Sequence, residues 1–220
     1  MIIIPAAGEG RRFAEAGYTE PKHLIPLAGI PMIRWVLENI GALERDFNQI
    51  VVADQKLVGQ TKGAIDTILK VNDWYPVPDD GWLVIANCDQ LIAYEPSVVD
   101  QPIGNGLIFT FKSANPAHSY VSGSPIRDII EKPNDPAAQG WNDAVSGVYV
   151  FPRAAPFMDA CRAVREEFNG AEQYVSAALK KMIAAGYGLY SQDAPTAILG
   201  TPEDFQRFET AAKIYEAMRP

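Results

Sequence analysis

The chain has 220 residues, of which 48% are hydrophobic and 21% are charged, a composition typical of a folded globular protein and not of a disordered one. The 19 Lys and Arg residues against 27 Asp and Glu residues give a formal net charge of −8, which argues against nucleic acid as a partner. The opening apolar run is too short for a signal peptide, no segment reaches the roughly 18 apolar residues of a membrane span, and two cysteines do not indicate a disulfide scaffold, so no membrane association and a cytoplasmic location are expected.

Hydrophobic periodicity predicts alternating strands and helices in the first half of the chain, then a strand-rich middle followed by helices. The predicted elements are, in chain order, a strand at Met1–Pro5, a loop at Ala6–Leu24, a helix from Pro31 to about Gly41, a strand at Gln49–Ala53, a helix around Ala64–Leu69, strands at Trp82–Ala86, Gly106–Phe111, Ser119–Val121, Ile126–Ile130 and Gly147–Phe151, and helices at Ala154–Phe168, Tyr174–Ala185 and Pro202–Met218. Such alternation implies parallel strands joined by helical crossovers. We therefore predict an α/β fold, with one three-layer α/β/α domain (residues 1–220) around a mixed, mostly parallel central sheet.

The segment after the first strand, "AAGEGRRF", has the composition of an anion-binding turn. Gly8 and Gly10 can adopt positive φ and let the backbone approach a ligand closely, and successive N–H groups in such a turn form a concavity for anions. Arg11 and Arg12 carry guanidinium groups suited to phosphate oxygens, and Lys22 adds a compact charge after a proline. Each feature alone has a plain structural explanation, a tight turn or a solvated surface. Their coincidence at one end of neighbouring strands favours a binding site.

The third strand runs into "NCDQ", which places Asp89 at its carboxyl end. Ligands of open α/β sheets bind outside the carboxyl ends of the strands. Magnesium in nucleotide sites takes one or two carboxylates together with substrate phosphates. Asp89 is therefore a candidate Mg²⁺ ligand opposite the glycine turn, and the structural alternative is an N-cap of a following helix.

Two familiar nucleotide-binding motifs do not fit this turn. A dinucleotide-binding fingerprint needs a small residue three positions after Gly10, where the chain has Phe13. It also needs an acidic residue roughly 20 positions further on, whereas the second strand ends near Asp54, more than twice as far away. A P-loop needs Gly-Lys-Ser/Thr, and Gly10 is followed by Arg11. The spacing thus excludes both sites.

The string "IIIPAAGEGRRFAEAGYTEPKHLIPLAGIPMIRWVLENI" resembles the amino-terminal motif of the sugar-1-phosphate nucleotidyltransferases, with its glycine turn, its Pro-Lys pair and its Gly-x-Pro step. The segments "QTKGAIDTIL", "NCDQ", "EKP", "SGVYVF", "AEQYV" and "GTPEDF" occur in the family's order, so that the resemblance covers nearly the whole chain. Small enzymes of capsule and surface-polysaccharide synthesis look most similar. The resemblance implies a nucleotide-diphospho-sugar transferase-like fold. It also implies Mg²⁺-dependent transfer of an NMP from an NTP to a sugar-1-phosphate or similar phosphorylated acceptor, with release of pyrophosphate.

The resemblance also implies roles for individual residues. Those implied in nucleotide binding are Ala6, Ala7, Gly8, Gly10, Arg11, Gln60 and Gly63; those implied in catalysis are Arg12, Lys22 and Asp89, the last as the Mg²⁺ ligand; and those implied in binding the acceptor are Lys132, Gly147 and Glu172. Arg11 replaces the family's usual Thr or Ser, which leaves its role open. The plain alternatives are a surface pair for Lys132, a bulge for Gly147 and a favourable helix-dipole position for Glu172. An acceptor phosphate needs no general base, so His23 and His118 are not expected to act in catalysis.

Two features depart from the family pattern. Only a few residues separate the second strand from "GQTKGA", where the family usually has a further strand and helix. We therefore expect the sheet to lack one βα unit and the base pocket to be more open. Many members also hold Mg²⁺ with an Asp just before the carboxyl-terminal "GT", where this chain has apolar residues. Its possible substitutes are water or Asp143, Asp193 or Asp204.

Two other functions stay open on the sequence alone. One is a non-catalytic sugar-nucleotide-binding regulatory protein of the same fold. The other is a GT-A glycosyltransferase, although "NCD" offers one Asp where that class usually has D-x-D. The base, the acceptor, the second metal ligand and the oligomeric state are not determined by the sequence.

Overall fold

The structure is a computed structural model and describes residues 1–43, 49–167, 170 and 172–218. The strands are Ile2–Ala6 (β1), Pro26–Leu27 (β2), Ile30–Pro31 (β3), Ile50–Asp54 (β4), Leu83–Ala86 (β5), Gln90–Ile92 (β6), Gly106–Lys112 (β7), Ser119–Ser122 (β8), Asp128–Glu131 (β9), Asp143–Phe151 (β10), Leu189–Asp193 (β11) and Thr196–Ile198 (β12). The helices are Arg11–Glu15 (α1), Met32–Ile40 (α2), Gln55–Val58 (α3), Ala64–Trp74 (α4), Ala154–Glu166 (α5), Val175–Ala184 (α6) and Pro202–Met218 (α7). Within these ranges, no helix combines the length and the apolar character that crossing a bilayer requires.

The central sheet has the strand order β11-β7-β10-β5-β1-β4. Strand β1 pairs in parallel with β4 and β5, and β11 pairs in parallel with β7. Strand β10 is antiparallel to both β5 and β7, and the hairpin β8–β9 extends the sheet from β10. In this described order β10 alone opposes the other five strands, which confirms the predicted mixed, mostly parallel sheet.

Strand β1 shows how the sheet is buried on both faces. Ile3 packs into a core cluster with residues of α4, α5 and α6, whereas Ile2 and Ile4 pack on the other face with residues of α2. All three side chains are fully buried. A strand covered on both faces needs apolar residues at every position, which explains the continuous run at the start of the sequence. Helices on both faces confirm the α/β/α layers.

A third core cluster fixes the segment between β1 and α2. Phe13 of α1 packs edge-on against Tyr18 and Phe205, with ring centroids 5.4 and 6.0 Å away. Leu27 of β2 and Leu199, which precedes α7, belong to the same cluster. The carboxyl-terminal part of the chain thus packs against the base of the glycine turn and holds it near the end of β1.

The structure differs from the sequence-based expectations at several boundaries. The predicted loop at Ala6–Leu24 contains α1 and a short 3₁₀ turn at Lys22–Leu24, the strand expected from Gly147 begins at Asp143, the strand expected at Ile126–Ile130 is Asp128–Glu131, and the helix expected to end at Phe168 is described only to Glu166, with Phe168 outside the described residues. Between β4 and α4 the chain forms the single short helix α3, and β4 is an edge strand.

Candidate active site

A cleft of about 930 Å³ opens at the carboxyl ends of β1 and β5. One wall is the glycine turn after β1, and another is the segment from Gln60 to Ala64 before α4. Lys132, at the end of β9, and Glu172, before α6, line the cleft as well. The cleft therefore lies where the topology of an open α/β sheet places ligands.

Gly10 lets the turn enter α1 while leaving room for a lysine. It has a φ of +60°, and its carbonyl accepts hydrogen bonds from the backbone N–H groups of Phe13 and Ala14. A Cβ at this position would lie 3.4 Å from Cβ of Lys22. Phe13, the residue that does not fit a dinucleotide-binding fingerprint, is buried in the third core cluster and holds this turn in place by apolar packing.

Lys22 connects the glycine turn to Asp89. Its Nζ forms an ion pair with Oδ2 of Asp89, and the two side chains are only 19% and 17% exposed. Nζ of Lys22 also lies 5.4 Å from the ring centroid of Phe13. Gly10 and Asp89, which are far apart in sequence, therefore meet through one lysine on the same side of the sheet.

The two arginines of the turn are exposed and line the cleft. Arg11 forms an ion pair with Glu9 at 3.0 Å, and both side chains are more than half exposed. Such an exposed pair contributes little to stability. Arg11 is thus a charged group that a phosphate ligand can draw away from Glu9 at small cost.

The residues expected to face the base divide between the cleft and a smaller pocket of about 440 Å³ beside it. Ala7 lines the cleft, Ala6 lines the smaller pocket, and Gly8 and Gln60 line both. Gln55, at the start of α3, also lines both and donates a hydrogen bond from Nε2 to the carbonyl of Ala7 at 2.9 Å. This glutamine follows β4 directly, and the sequence reasoning missed it.

His23 is one of the residues that line the smaller pocket. The side chain is buried, and its Nε2 lies 3.8 Å from Oδ2 of Asp54. Burial lowers the pKa of His23, and the negative charge of Asp54 only partly opposes this effect. The imidazole is therefore neutral at physiological pH and is suited to a structural place at the edge of the site.

Gly63 permits a close contact between two segments of the cleft wall. Its φ is +129°, and a Cβ there would lie 2.6 Å from the backbone oxygen of Gln173. Gln173 N donates to the carbonyl of Lys62 at 2.9 Å, and Ile65 N donates to the carbonyl of Gln173 at 3.2 Å. The side-chain amide of Gln173 is buried and has no hydrogen-bond partner among the described residues. Gly63 thus has a structural role that the sequence did not indicate.

Lys132 and Glu172 are joined through Tyr174. Nζ of Lys132 lies 2.6 Å from Oη of Tyr174, and the same hydroxyl group contacts Oε2 of Glu172. Lys132 also lies 3.9 Å from its neighbour Glu131, whose other carboxylate oxygen accepts hydrogen bonds from two serine hydroxyls. The structure therefore brings the two predicted acceptor residues together, with a tyrosine to which the sequence analysis assigned no role.

Gly147 lies at an irregularity of β10, where the register against β7 shifts between Val145 and Tyr149. A Cβ at Gly147 would lie 1.9 Å from Oε1 of Gln90 and 2.4 Å from Nδ2 of Asn87. Asn87 lines the cleft, and its backbone N–H donates a hydrogen bond to the backbone carbonyl of Gly147. The bulge interpretation of Gly147 is confirmed, and Asn87 is the residue through which this part of β10 adjoins the cleft.

The aspartates suggested as a second metal ligand are engaged elsewhere in the described chain. Asp143 pairs with Lys112, Asp193 lines a separate groove, and Asp204 binds the hydroxyl group of Thr201. Beside Asp89 lies the backbone of Gly200. The described residues hold no group of three or more His, Cys, Asp or Glu side chains that could form a metal centre. The described residues therefore contain no set of carboxylates that could hold a metal ion without help from phosphate oxygens.

A curated protein and several solved structures are similar to this chain. No family model matches the chain. The bifunctional protein GlmU of Leifsonia xyli subsp. xyli (strain CTCB07) is 27% identical in an alignment 255 positions long, gaps included, which covers 97% of this chain and 49% of that protein. The chain therefore spans about half the length of the curated relative it matches.

Solved structures match over nearly the whole length of both chains. The nucleoside-diphosphate-sugar pyrophosphorylase from Vibrio cholerae RC9 has a TM-score of 0.78 at 20% identity, covering 96% of this chain and 100% of that one. A UDP-glucose pyrophosphorylase in complex with UDP-glucose has a TM-score of 0.75 at 17% identity, covering 99% and 98%. The chain thus has the fold of these pyrophosphorylases, which is the fold that the resemblance of its motifs to the sugar-1-phosphate nucleotidyltransferases implies.

Proposed function

We propose that the protein is a nucleotidyltransferase that transfers an NMP from an NTP to a sugar-1-phosphate or similar phosphorylated acceptor, and that it serves nucleotide-sugar and surface-polysaccharide synthesis in the cytoplasm. The observation that carries the proposal is the single cleft in which the glycine turn and Lys22, which is paired with Asp89, share one space with Lys132 and Glu172. One end is suited to a triphosphate, and the other offers a cation and a carboxylate for a phosphorylated sugar.

The proposed reaction needs positioning and charge stabilisation more than acid–base chemistry. An oxygen of the acceptor phosphate, already an anion, attacks the α-phosphorus of the NTP, and the bond to the departing pyrophosphate breaks. The barrier lies in bringing two anions together and in the charge on the phosphoryl oxygens. This explains why the cleft contains several cations and why the buried, neutral His23 lies outside its centre.

The triphosphate end is assigned to the glycine turn and its cations. The backbone of Gly8 and Gly10 approaches the phosphates closely, because neither residue has a side chain to hold them away. Arg12 and Arg11 reach phosphate oxygens from the rim of the cleft, and Lys22 neutralises charge at the α-phosphate. These roles follow from where the side chains lie and from the charges that the reaction develops.

Magnesium is the cofactor that this proposal includes, and Asp89 is the residue that would hold it. The carboxylate lies at the end of β5 beside the cation that faces the phosphates, and one carboxylate together with phosphate oxygens is a donor set that Mg²⁺ accepts. No group of three or more His, Cys, Asp or Glu side chains that could hold a metal includes Asp89 in the described chain, which fits a metal that shares its ligands with the nucleotide. When bound, the metal would supply charge neutralisation at the phosphate oxygens.

The base and the acceptor are assigned to different parts of the cleft wall. On the base side, Ala6, Ala7 and Gln60 form the wall, and Gln55 adds an amide that is already oriented by its bond to Ala7. On the acceptor side, Lys132 binds the phosphate of the acceptor, while Glu172 accepts hydrogen bonds from sugar hydroxyls. Gly147 contributes to the acceptor side indirectly, because its lack of a side chain leaves space for Asn87, which lines the cleft.

The proposal is tested by measuring pyrophosphate release with CTP, UTP, GTP and dTTP, each combined with hexose-, heptose- and amino-sugar-1-phosphates and phosphocholine, in the presence of Mg²⁺. We expect at least one combination to give pyrophosphate and Asp89→Ala to abolish it. Asp159→Ala, which removes an exposed carboxylate on α5, is the matched control and should retain activity. No release with any pair, together with tight binding of a nucleotide sugar, would instead indicate a non-catalytic regulatory protein.

A further inference from the structure

We propose that Tyr174 is a positioning residue for the acceptor, an inference that rests on the proposed function: its hydroxyl group links Lys132 to Glu172 and keeps the two charged groups from pairing directly. Lys132 and Glu172 line the cleft, and both contact the same Oη atom. The two predicted acceptor residues thus form one unit, and the phenol is its central member.

The chemistry of the three groups fixes the direction of both hydrogen bonds. An ammonium only donates, a carboxylate only accepts, and a phenol does both. Lys132 therefore donates to Tyr174, and Tyr174 donates to Glu172. Burial and, next, the hydrogen bond to Glu172 raise the pKa of Tyr174, so the hydroxyl keeps the proton that it donates.

Contacts other than the phenol hold the backbones that carry these side chains. Lys132 has a φ of +45°, and its N–H donates to the carbonyl of His118 at 3.1 Å. The neighbouring Glu131 accepts hydrogen bonds of 2.5 Å from Ser119 and from Ser176 of α6, which ties the end of β9 to the helix that follows Tyr174. The residue before Tyr174 is bonded to the segment around Gly63. Removing the hydroxyl group therefore changes the arrangement of the charged side chains and leaves the two segments in place.

Removing the hydroxyl group is expected to let Lys132 pair with a carboxylate. The Lys132 side chain is 45% exposed and can move, Glu131 Oε1 already lies 3.9 Å away, and Glu172 is at the other end of the tyrosine bridge. An acceptor phosphate would then have to displace a carboxylate from Lys132. The contacts at the triphosphate end, which depend on Lys22 and Asp89, would be unchanged.

The kinetic test compares the wild-type protein with Tyr174→Phe, which keeps the ring and removes only the hydroxyl group. We expect the KM for the acceptor to rise roughly tenfold, as for the loss of one hydrogen bond to a charged group, while the KM for the NTP changes less than about twofold. Tyr94→Phe is the control, because its hydroxyl donates to Asn39 in a separate groove. An unchanged KM for the acceptor, or an equal rise of both KM values, would overturn the inference.

A second measurement needs no substrate and separates this inference from the proposed function. Carbamylation of Lys132 by cyanate is followed by mass spectrometry in the wild type and in Tyr174→Phe, with Lys112 as the internal reference. Direct pairing with a carboxylate makes the amine less accessible to cyanate, so modification of Lys132 should be slower in the variant. Equal or faster modification contradicts the role of Tyr174. A wild-type protein that releases no pyrophosphate contradicts only the enzyme assignment.

Discussion

Replacing Gly63 by alanine tests whether the segment before α4 must approach the segment before α6 as closely as it does. A Cβ at Gly63 would lie 2.6 and 2.7 Å from the backbone O and N atoms of Gln173. Because these are backbone atoms held by two hydrogen bonds, they cannot rotate away as the end of a flexible side chain would. The substitution therefore has to push the two segments apart or distort one of them.

Two terms contribute to the expected loss in the free energy of unfolding. An alanine in the extended, positive-φ conformation of Gly63 (φ +129°, ψ −173°), which is essentially confined to glycine, costs about 1–3 kcal/mol. Overpacking against neighbours that cannot yield costs a further 1–3 kcal/mol or so, roughly the range for inserted methylene groups. We expect Gly63→Ala to lose about 2–6 kcal/mol in total, and each kcal/mol corresponds to about 2–4 °C in Tm for a chain of this size.

The assay is urea or thermal unfolding of the wild type, Gly63→Ala and Gly140→Ala. Gly140 has a φ of +80°, and no atom lies within 4 Å of the position that an added Cβ would take, so alanine there introduces backbone strain alone. Gly63→Ala should lose at least about 1 kcal/mol more than this control. It should also raise the KM values for both the NTP and the acceptor, because its segment adjoins both. Equal losses of stability in the two variants would refute the argument from close approach.

Two further predictions concern the pH dependence of stability and the anchor of the glycine turn. Burial lowers the pKa of His23 in the folded state, so the unfolded chain binds the proton more readily. The free energy of unfolding should therefore fall as the pH drops below the pKa of His in the unfolded chain, about 6.5. For this one group the fall is at most about 1.4 kcal/mol per pH unit. Urea unfolding between pH 7.5 and 5 should show a shallower fall for His23→Gln, and an identical fall would contradict the neutral, buried imidazole. Phe13→Ala should lower the free energy of unfolding by about 3–5 kcal/mol and should raise the KM for the NTP more than the KM for the acceptor. Phe157→Ala, which creates a cavity in a different core cluster, should cost a similar amount of stability without changing one KM more than the other.

Long periodic elements were predictable because their pattern follows directly from burial. The helix at Met32–Ile40 and the strand at Leu83–Ala86 agree with the prediction to within about one residue, since each has a buried face or a fully buried run. Short elements carry too few residues for a periodic signal. The strand at Thr196–Ile198 and the helix at Gln55–Val58 are three and four residues long, and tertiary contacts, not local pattern, stabilise elements of that length.

The candidate site was predictable to the extent that strand ends define it. Asp89 follows a strand at the edge where ligands bind, and the same rule applied to β4 would have found Gln55. Gln173 and Tyr174 stand in the segment "AEQYV", but their roles could not be predicted, because their contacts are with residues more than 100 and about 42 positions earlier in the chain. Their importance comes from packing between segments, which a single sequence does not display.

The charges of the cleft are paired in a way that suits exchange with substrate. Arg11 is held by Glu9, Lys22 by Asp89, and Lys132 by Tyr174 and Glu131. A group of unpaired cations in one cleft would repel one another and destabilise the fold. Partners that are carboxylates or a phenol avoid this repulsion, yet each can be replaced by a phosphate oxygen, which also accepts strong, charge-assisted hydrogen bonds from a cation. The same residues therefore stabilise the empty cleft and become available when two phosphorylated substrates enter it, which is the requirement of a reaction that joins two anions.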